Sequence, residues 1–400
     1  SLHDALPISW KEDFKYVDAY AEIGTSVEGS GVFKLNNSDE YILMYDLYRD
    51  KRYEFQRSTD LFNFTKKPES FTKNFNPRHG TVMSITREEA RRLQDKWAGV
   101  PATLLQPKDK NDLYHFTAKG NPIITHYFTA DPAAIVEKDT LWLFAGHDFA
   151  GNQSKYVMKD WLTFSTTNMK DWTEYPVSLK ITDFPWAKSG DAFAGHVTPR
   201  NGKYYWYIST NWSGIGVAVA DRPEGPYKDA LGKPLLTNKD CFNSTHSWAC
   251  IDPAVFIDDD GQAWIFWGNR ECYYAKLKEN MIEIDGEIKQ IEFDGLSFTE
   301  APWVHKHNGW YYLTYATGFP EKLAYAMSRN VNGPWEYKGL LNEIAGNSNT
   351  NHQAIVDFKG RPYFIYHNGG LQDGGSSYSR SICIDDLHYN PDGSIKRIQM

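Results

Sequence analysis

The chain has 400 residues, more than one hydrophobic core usually organises, so one large domain or two are expected. Hydrophobic residues are 41% and charged residues 24%, with a mean hydropathy of -0.58, the balance of a soluble globular protein. A formal net charge of -8 would repel nucleic-acid phosphates and an anionic membrane surface, and no apolar run approaches the ~18 residues of a membrane span.

Residues 1–9 (SLHDALPIS) fit no periodic pattern, and no charged-then-apolar signal segment opens the chain. Within residues 14–85, EYILMYDLYRD (40–50) and FQRSTDLFNFT (55–65) read as an aromatic strand followed by a third strand with its turn. A helix is expected at about 87–98, because Thr86 and Glu89 have capping-box spacing and Gly99 follows its end. Residues 99–111, with Pro101, Pro107 and a polar charged stretch, read as a linker.

From residue 112 to the end one unit recurs: an apolar strand, a turn, an aromatic strand, then a third strand near a Gly-Pro or Asp-Gly turn. The aromatic strands are LWLFAGHD (141–148), YYWYIST (204–210), AWIFWGN (263–269), YYLTYATG (311–318) and PYFIYHN (362–368). Five copies at roughly 50–60 residues predict a five-bladed β-propeller over 112–400, an all-β fold. In the first hundred residues Glu28 precedes His79 by 51 positions, much as Glu300 precedes His352 by 52. Residues 1–98 are therefore expected to hold an incomplete propeller fragment of about two blades, too few to close a ring.

Each inner strand of the complete propeller starts with a polar residue in apolar surroundings: Asp131, His196, Asp252, Glu300 and His352. Inner strands of a propeller start at one end of its axis, so these residues should converge on one funnel. An Asp-Pro pair alone is more often a turn former, a lone strand-end Glu is more often solvated, and a lone His more often a satisfied core residue. Recurrence in successive repeats is what favours chemistry. Two carboxyl groups flanking a funnel suit glycosidic bond cleavage, one activating a water and the other protonating the leaving oxygen; a third would raise the acid's pKa. Asp258-Asp259-Asp260-Gly261 is read as a hairpin turn rather than a calcium loop. Cys241, Cys250, Cys272 and Cys383 form no disulfide framework or zinc module, although a Cys241–Cys250 bridge is open to the sequence. The aromatic excess, 14 Trp, 25 Tyr and 22 Phe, serves the core first and suits sugar rings second.

At these residues the chain closely resembles glycoside hydrolase family 43. The matching stretches are NPIITHYFTADPAAIV (121–136), GDAFAGHVTPRNGKYYWY (190–207), IDPAVFIDDDGQAWIFWGN (251–269), TEAPWVHKHNGWYYLTYA (299–316), TNHQAIVDFKGRPYFIYHN (350–368) and SRSICIDDLHYNPDGSI (379–395). The resemblance implies Asp131 as general base, Asp252 as pKa modulator, Glu300 as general acid, and Arg380 as a contact to the sugar and the acids. It places His352 at the axis, where many members hold a calcium ion or water cluster; the chemistry itself needs no cofactor. Many members carry Trp-Ala-Pro where this chain has Phe193-Ala194-Gly195-His196, so Phe193 becomes the expected sugar platform and His196 a neighbouring contact. PRHGTVMSIT (77–86) and Glu28 also resemble the family, but counterparts of Asp131 and Asp252 are missing there, so the N-terminal piece is expected to be inactive.

The resemblance implies an inverting, secreted or periplasmic α-L-arabinofuranosidase or β-D-xylosidase acting on arabinoxylan, arabinan or their oligosaccharides. The alternatives are an endo-α-1,5-arabinanase and a non-catalytic glycan-binding propeller. Fructan-cleaving propellers carry Arg-Asp-Pro and Glu-Cys signatures, whereas this chain has Ile251-Asp252-Pro253 and Thr299-Glu300-Ala301.

Overall fold

The computed structural model describes residues 27–66 (except 36–37, 48, 51 and 62), Val82, and residues 113–398 except 150–153, 188–189, 211–213, 296 and 372–374. The chain divides into two compact units, Ser1–Trp97 and Ala98–Met400. The expected helix over 87–98, the linker over 99–111 and His79 lie outside the described residues.

In the first unit, Glu28–Lys34, Tyr41–Leu47, Arg52–Ser58 and Thr65–Lys66 pair in chain order as an antiparallel sheet. Leu43, Tyr45 and Leu47 form its small buried cluster against Val27, Val32 and Phe64. Of the two blades expected, one such sheet falls within the described residues.

The second unit is the expected five-bladed propeller. Its blades are antiparallel sheets whose innermost strands are Phe128–Glu137, Gly195–Arg200, Ala254–Ile257, Glu300–His307 and Gln353–Phe358. Each inner strand touches the next, and Gln353–Phe358 touches Phe128–Glu137, so the contacts run in a circle. The seam is closed by backbone pairing between the start and end of the ring. Ile123 N–H donates to Ile382 O (2.9 Å) and Thr129 N–H to Arg380 O (2.8 Å). The side-chain amide of Asn121 brackets Ile384, accepting its N–H at 2.8 Å and donating to its carbonyl at 3.1 Å.

Local chemistry fixes the hairpins that aim the inner strands. Asn201-Gly202, Asn308-Gly309 and Lys359-Gly360 join inner to second strands with φ positive at both residues of each pair. Such turns match the right-handed twist of the flanking strands. Asp258–Gly261 is also a hairpin turn, with Asp258 N–H donating to Gln262 O (3.0 Å). The aromatic strands pack blade against blade: Trp206 of the second blade meets Phe144 and Trp161 of the first at 4.9 and 6.2 Å. Trp161, Trp172, Trp206 and Trp267 are fully buried, so much of the aromatic excess serves the core. All four cysteines are buried free thiols; Cys241 and Cys250 hydrogen-bond each other rather than bridging.

Candidate active site

A cavity of about 870 Å³ opens where the inner strands begin and the second strands end. Asp131, Asp252, Glu300 and Arg380 line it together, brought from four blades. Asp131 and Asp252 adopt the left-handed backbone conformation, φ 50° and 56°, and each precedes a proline. In the fourth blade the corresponding left-handed residue is Ala301, φ 56°, which precedes Pro302. Glu300 therefore sits one position earlier than the equivalence of the repeats suggested. Strand pairing shifts register at Ala130/Ala133 and at Glu300/Trp303, and such bulges re-aim side chains. Left-handed non-glycine residues cost about 1–3 kcal/mol each and cluster at functional sites.

One wall is built around Arg380. Its guanidinium grips Asp148 through Nε and Nη2 (2.9 Å each) and reaches Asp131 Oδ1 through Nη1 (2.9 Å). Asp131 is 9% exposed. Burial raises its pKa and the Arg380 charge pulls it back, the balance lying at about 6. Its backbone N–H donates to His367 Nδ1 (3.1 Å), which leaves His367 Nε2 to donate to Thr350 O (3.0 Å). The neutral tautomer this requires agrees with a His367 pKa pushed well below normal by burial and by Arg380.

The other wall carries Glu300. Asn269 Nδ2 donates to Glu300 Oε2 at 2.5 Å, and the carboxyl of Glu321 hydrogen-bonds it as well. Burial and the charge of Asp131 raise the Glu300 pKa to about 7. Arg380 influences Glu300 only through space. Between the walls, Asp252 accepts the Ala301 N–H at Oδ2 (3.1 Å), and burial, then Glu300 and Asp131, hold its pKa well above the ordinary range. The site thus pairs a carboxylate-prone Asp131 with a proton-holding Glu300, which can activate a water and protonate a leaving oxygen.

The remaining expected residues fall in different places. Phe193 lines the cavity, braced by Tyr156 and Trp248. His196 and His352 are buried outside the lining. His196 packs on Trp303 with ring centres 4.7 Å apart, and burial lowers its pKa to about 3, which keeps the ring neutral. His352 Nδ1 lies 3.7 Å from Asp252 Oδ2 and 4.0 Å from Asp131 Oδ1, and burial and Arg380 lower its pKa to about 3. Calcium takes six to eight oxygen ligands. Among the described residues no group of three His, Cys, Asp or Glu could hold a metal ion, so a calcium ion at His352 would take most of its ligands from water.

The model of the glycosyl hydrolases family 43 matches residues 119–395. A curated relative, xylosidase/arabinosidase 43A of Humicola insolens, is 31% identical, with 68% of this chain and 98% of the relative covered. The chain belongs to glycosyl hydrolase family 43. Among solved structures, a family 43 β-xylosidase/α-arabinofuranosidase from a compost microbial metagenome, in complex with xylotriose, aligns with TM-score 0.63 at 29% identity. That alignment covers 71% of this chain and 98% of the other. An α-L-arabinofuranosidase from Clostridium thermocellum aligns with TM-score 0.59 at 36% identity, covering 69% and 95%. A second model, described as a probable glycosyl hydrolase domain, matches residues 3–91.

In this family 43 hydrolase, sequence reasoning missed Asp148, Asn269, His367 and Glu321. The first three carried a usable signal. They lie at the ends of LWLFAGHD, AWIFWGN and PYFIYHN, and an antiparallel second strand must end where its inner strand begins. Glu321 carried none, because it stands in the loop after Phe319-Pro320 and outside the repeat.

Proposed function

We propose that this family 43 hydrolase releases α-L-arabinofuranosyl or β-D-xylosyl residues from arabinoxylan or arabinan chains, with inversion, outside the cell. Asp131 is the base that deprotonates water, Glu300 the acid that protonates the leaving oxygen, and Asp252 the pKa modulator between them, its carboxyl group coupled electrostatically to both. The reading rests above all on the asymmetric cavity: Arg380 ion-pairs with Asp131 and not with Glu300. Like carboxyl groups in unlike surroundings take opposite roles. Arabinofuranose and xylose present similar hydroxyl patterns, and a cavity of about 870 Å³ has room for one such ring and part of its aglycone.

The test is hydrolysis of aryl xyloside, aryl arabinofuranoside, arabinoxylan and arabinan, following the newborn anomer by NMR. Monosaccharide appearing first with inverted configuration is the expected result. A retained anomer would remove the direct attack of water, and oligosaccharides as the first products would move the reading to an endo-arabinanase.

A further inference from the structure

Glu321 is 1% exposed, although it lines the same cavity as Glu300 and contacts its carboxyl group. Its position is fixed at both ends. Its backbone N–H donates to Asn349 O (3.0 Å), and its Oε2 accepts the Asn351 N–H (2.8 Å). No cation pairs with it among the described residues; the charged groups facing it are Glu300 and Asp252. Two carboxylates in contact cannot both be ionised at modest cost, so Glu321 stays protonated beside Glu300.

A neutral carboxyl has one oxygen to accept and one O–H to donate. Asn351 occupies the accepting oxygen, which leaves the O–H for Glu300. We infer that Glu321 is a positioning residue for the acid, a neutral carboxylic acid whose O–H hydrogen-bonds the Glu300 carboxylate that forms when the leaving oxygen takes its proton. During that step the glycosidic bond breaks and the proton of Glu300 goes to the departing oxygen. Glu321 keeps its own proton and gives only a hydrogen bond, joining Asn269 in stabilising the new charge. Such a bond matters most as the charge develops, so it lowers the barrier rather than tightening substrate binding.

The inference rests on Glu300 being the acid, and the experiment separates the two. Glu321→Gln keeps both contacts, its oxygen for Asn351 and its N–H for Glu300, without a titrating proton. Glu321→Leu keeps neither. For an arabinosyl or xylosyl substrate with a sugar aglycone, Glu321→Leu should lower kcat by about 10–100-fold with KM within about twofold, the worth of a hydrogen bond to a charged group. Its alkaline limb should move to higher pH, since Glu300 ionises less readily without the donor. Glu321→Gln should recover kcat to within about threefold. On a dinitrophenyl glycoside, whose leaving group needs no proton, Glu321→Leu should fall by less than about twofold, which also certifies its fold. Equal losses on both substrates, or Gln as damaged as Leu, would overturn the role of Glu321. Glu300→Gln is run alongside: if it spares the sugar-aglycone substrate, the assignment of the acid fails instead.

Discussion

On one side of the cavity, Asp131 meets a guanidinium already clamped by Asp148; on the other, Glu300 meets an amide and a second carboxyl group. Burial raises both acids, so burial does not distinguish them. The difference is the sign of the charge that acts most strongly on each. Arg380 draws Asp131 down to about 6, while Asp131 itself pushes Glu300 up to about 7. The two acids therefore hold opposite protonation states in a narrow window near neutrality, and the propeller supplies the contrast by drawing neighbours from different blades.

Removing either acid has the largest expected effect, and the two losses should differ in kind. Asp131→Asn should lower kcat by about 10²–10⁴-fold on every substrate, because attack by water is always needed. Glu300→Gln should match that loss on sugar aglycones and be mild on dinitrophenyl glycosides. Steady-state kinetics on the two substrate types reads the distinction; identical patterns would erase the contrast between the walls.

A smaller effect is expected from Arg380→Lys. An ammonium cannot hold both oxygens of Asp148 and still reach Asp131 as the planar fork does. Asp131 loses part of its stabilised carboxylate, so its pKa climbs above about 6 and the acid limb of kcat/KM moves to higher pH. Activity near pH 6 should drop by roughly tenfold, with the alkaline limb, governed by Glu300, almost unmoved. Movement of the alkaline limb alone would mean that Arg380 serves the wrong wall.

The fold was legible because aromatic strands and Gly turns repeat, and repetition survives in one dimension. The inner-strand acids were legible for the same reason. What the repeats hid was register: Glu300 precedes the left-handed residue that Asp131 and Asp252 occupy, an offset visible only when Ala301-Pro302 is matched to the two Asp-Pro pairs. His196 and His352 also start inner strands yet lie buried outside the cavity lining, because a polar residue at a strand start can point into the core as well as into a cavity. Glu321 was invisible for a physical reason. It precedes Lys322, which pairs with Glu343 at the surface (2.7 Å), so the loop reads as solvated while one carboxyl in it turns inward.

The smallest expected effect concerns stability, and it tests the comparison without any substrate. Glu300 has an ordinary pKa of 4.5 and about 7 in the folded protein. A raised pKa means that the folded state holds a proton the unfolded chain releases between those values. The contribution of Glu300 to stability is thus intact below about 4.5 and is lost as pH rises through 7. Glutamine has no proton to lose and can still accept from Asn269. Glu300→Gln should therefore melt above the wild type at pH 8, by roughly 2–4 °C for each kcal/mol recovered, and the gain should vanish by about pH 4. Asp131→Asn has the same sign from burial, but it leaves Arg380 without one of its two carboxylate partners, so its gain should be smaller or reversed. Calorimetry of the two variants at pH 4 and pH 8 measures that inequality. A Glu300→Gln protein melting below Asp131→Asn at pH 8 would mean that the charge of Arg380 serves both walls alike, and the division of labour between them would have no electrostatic basis.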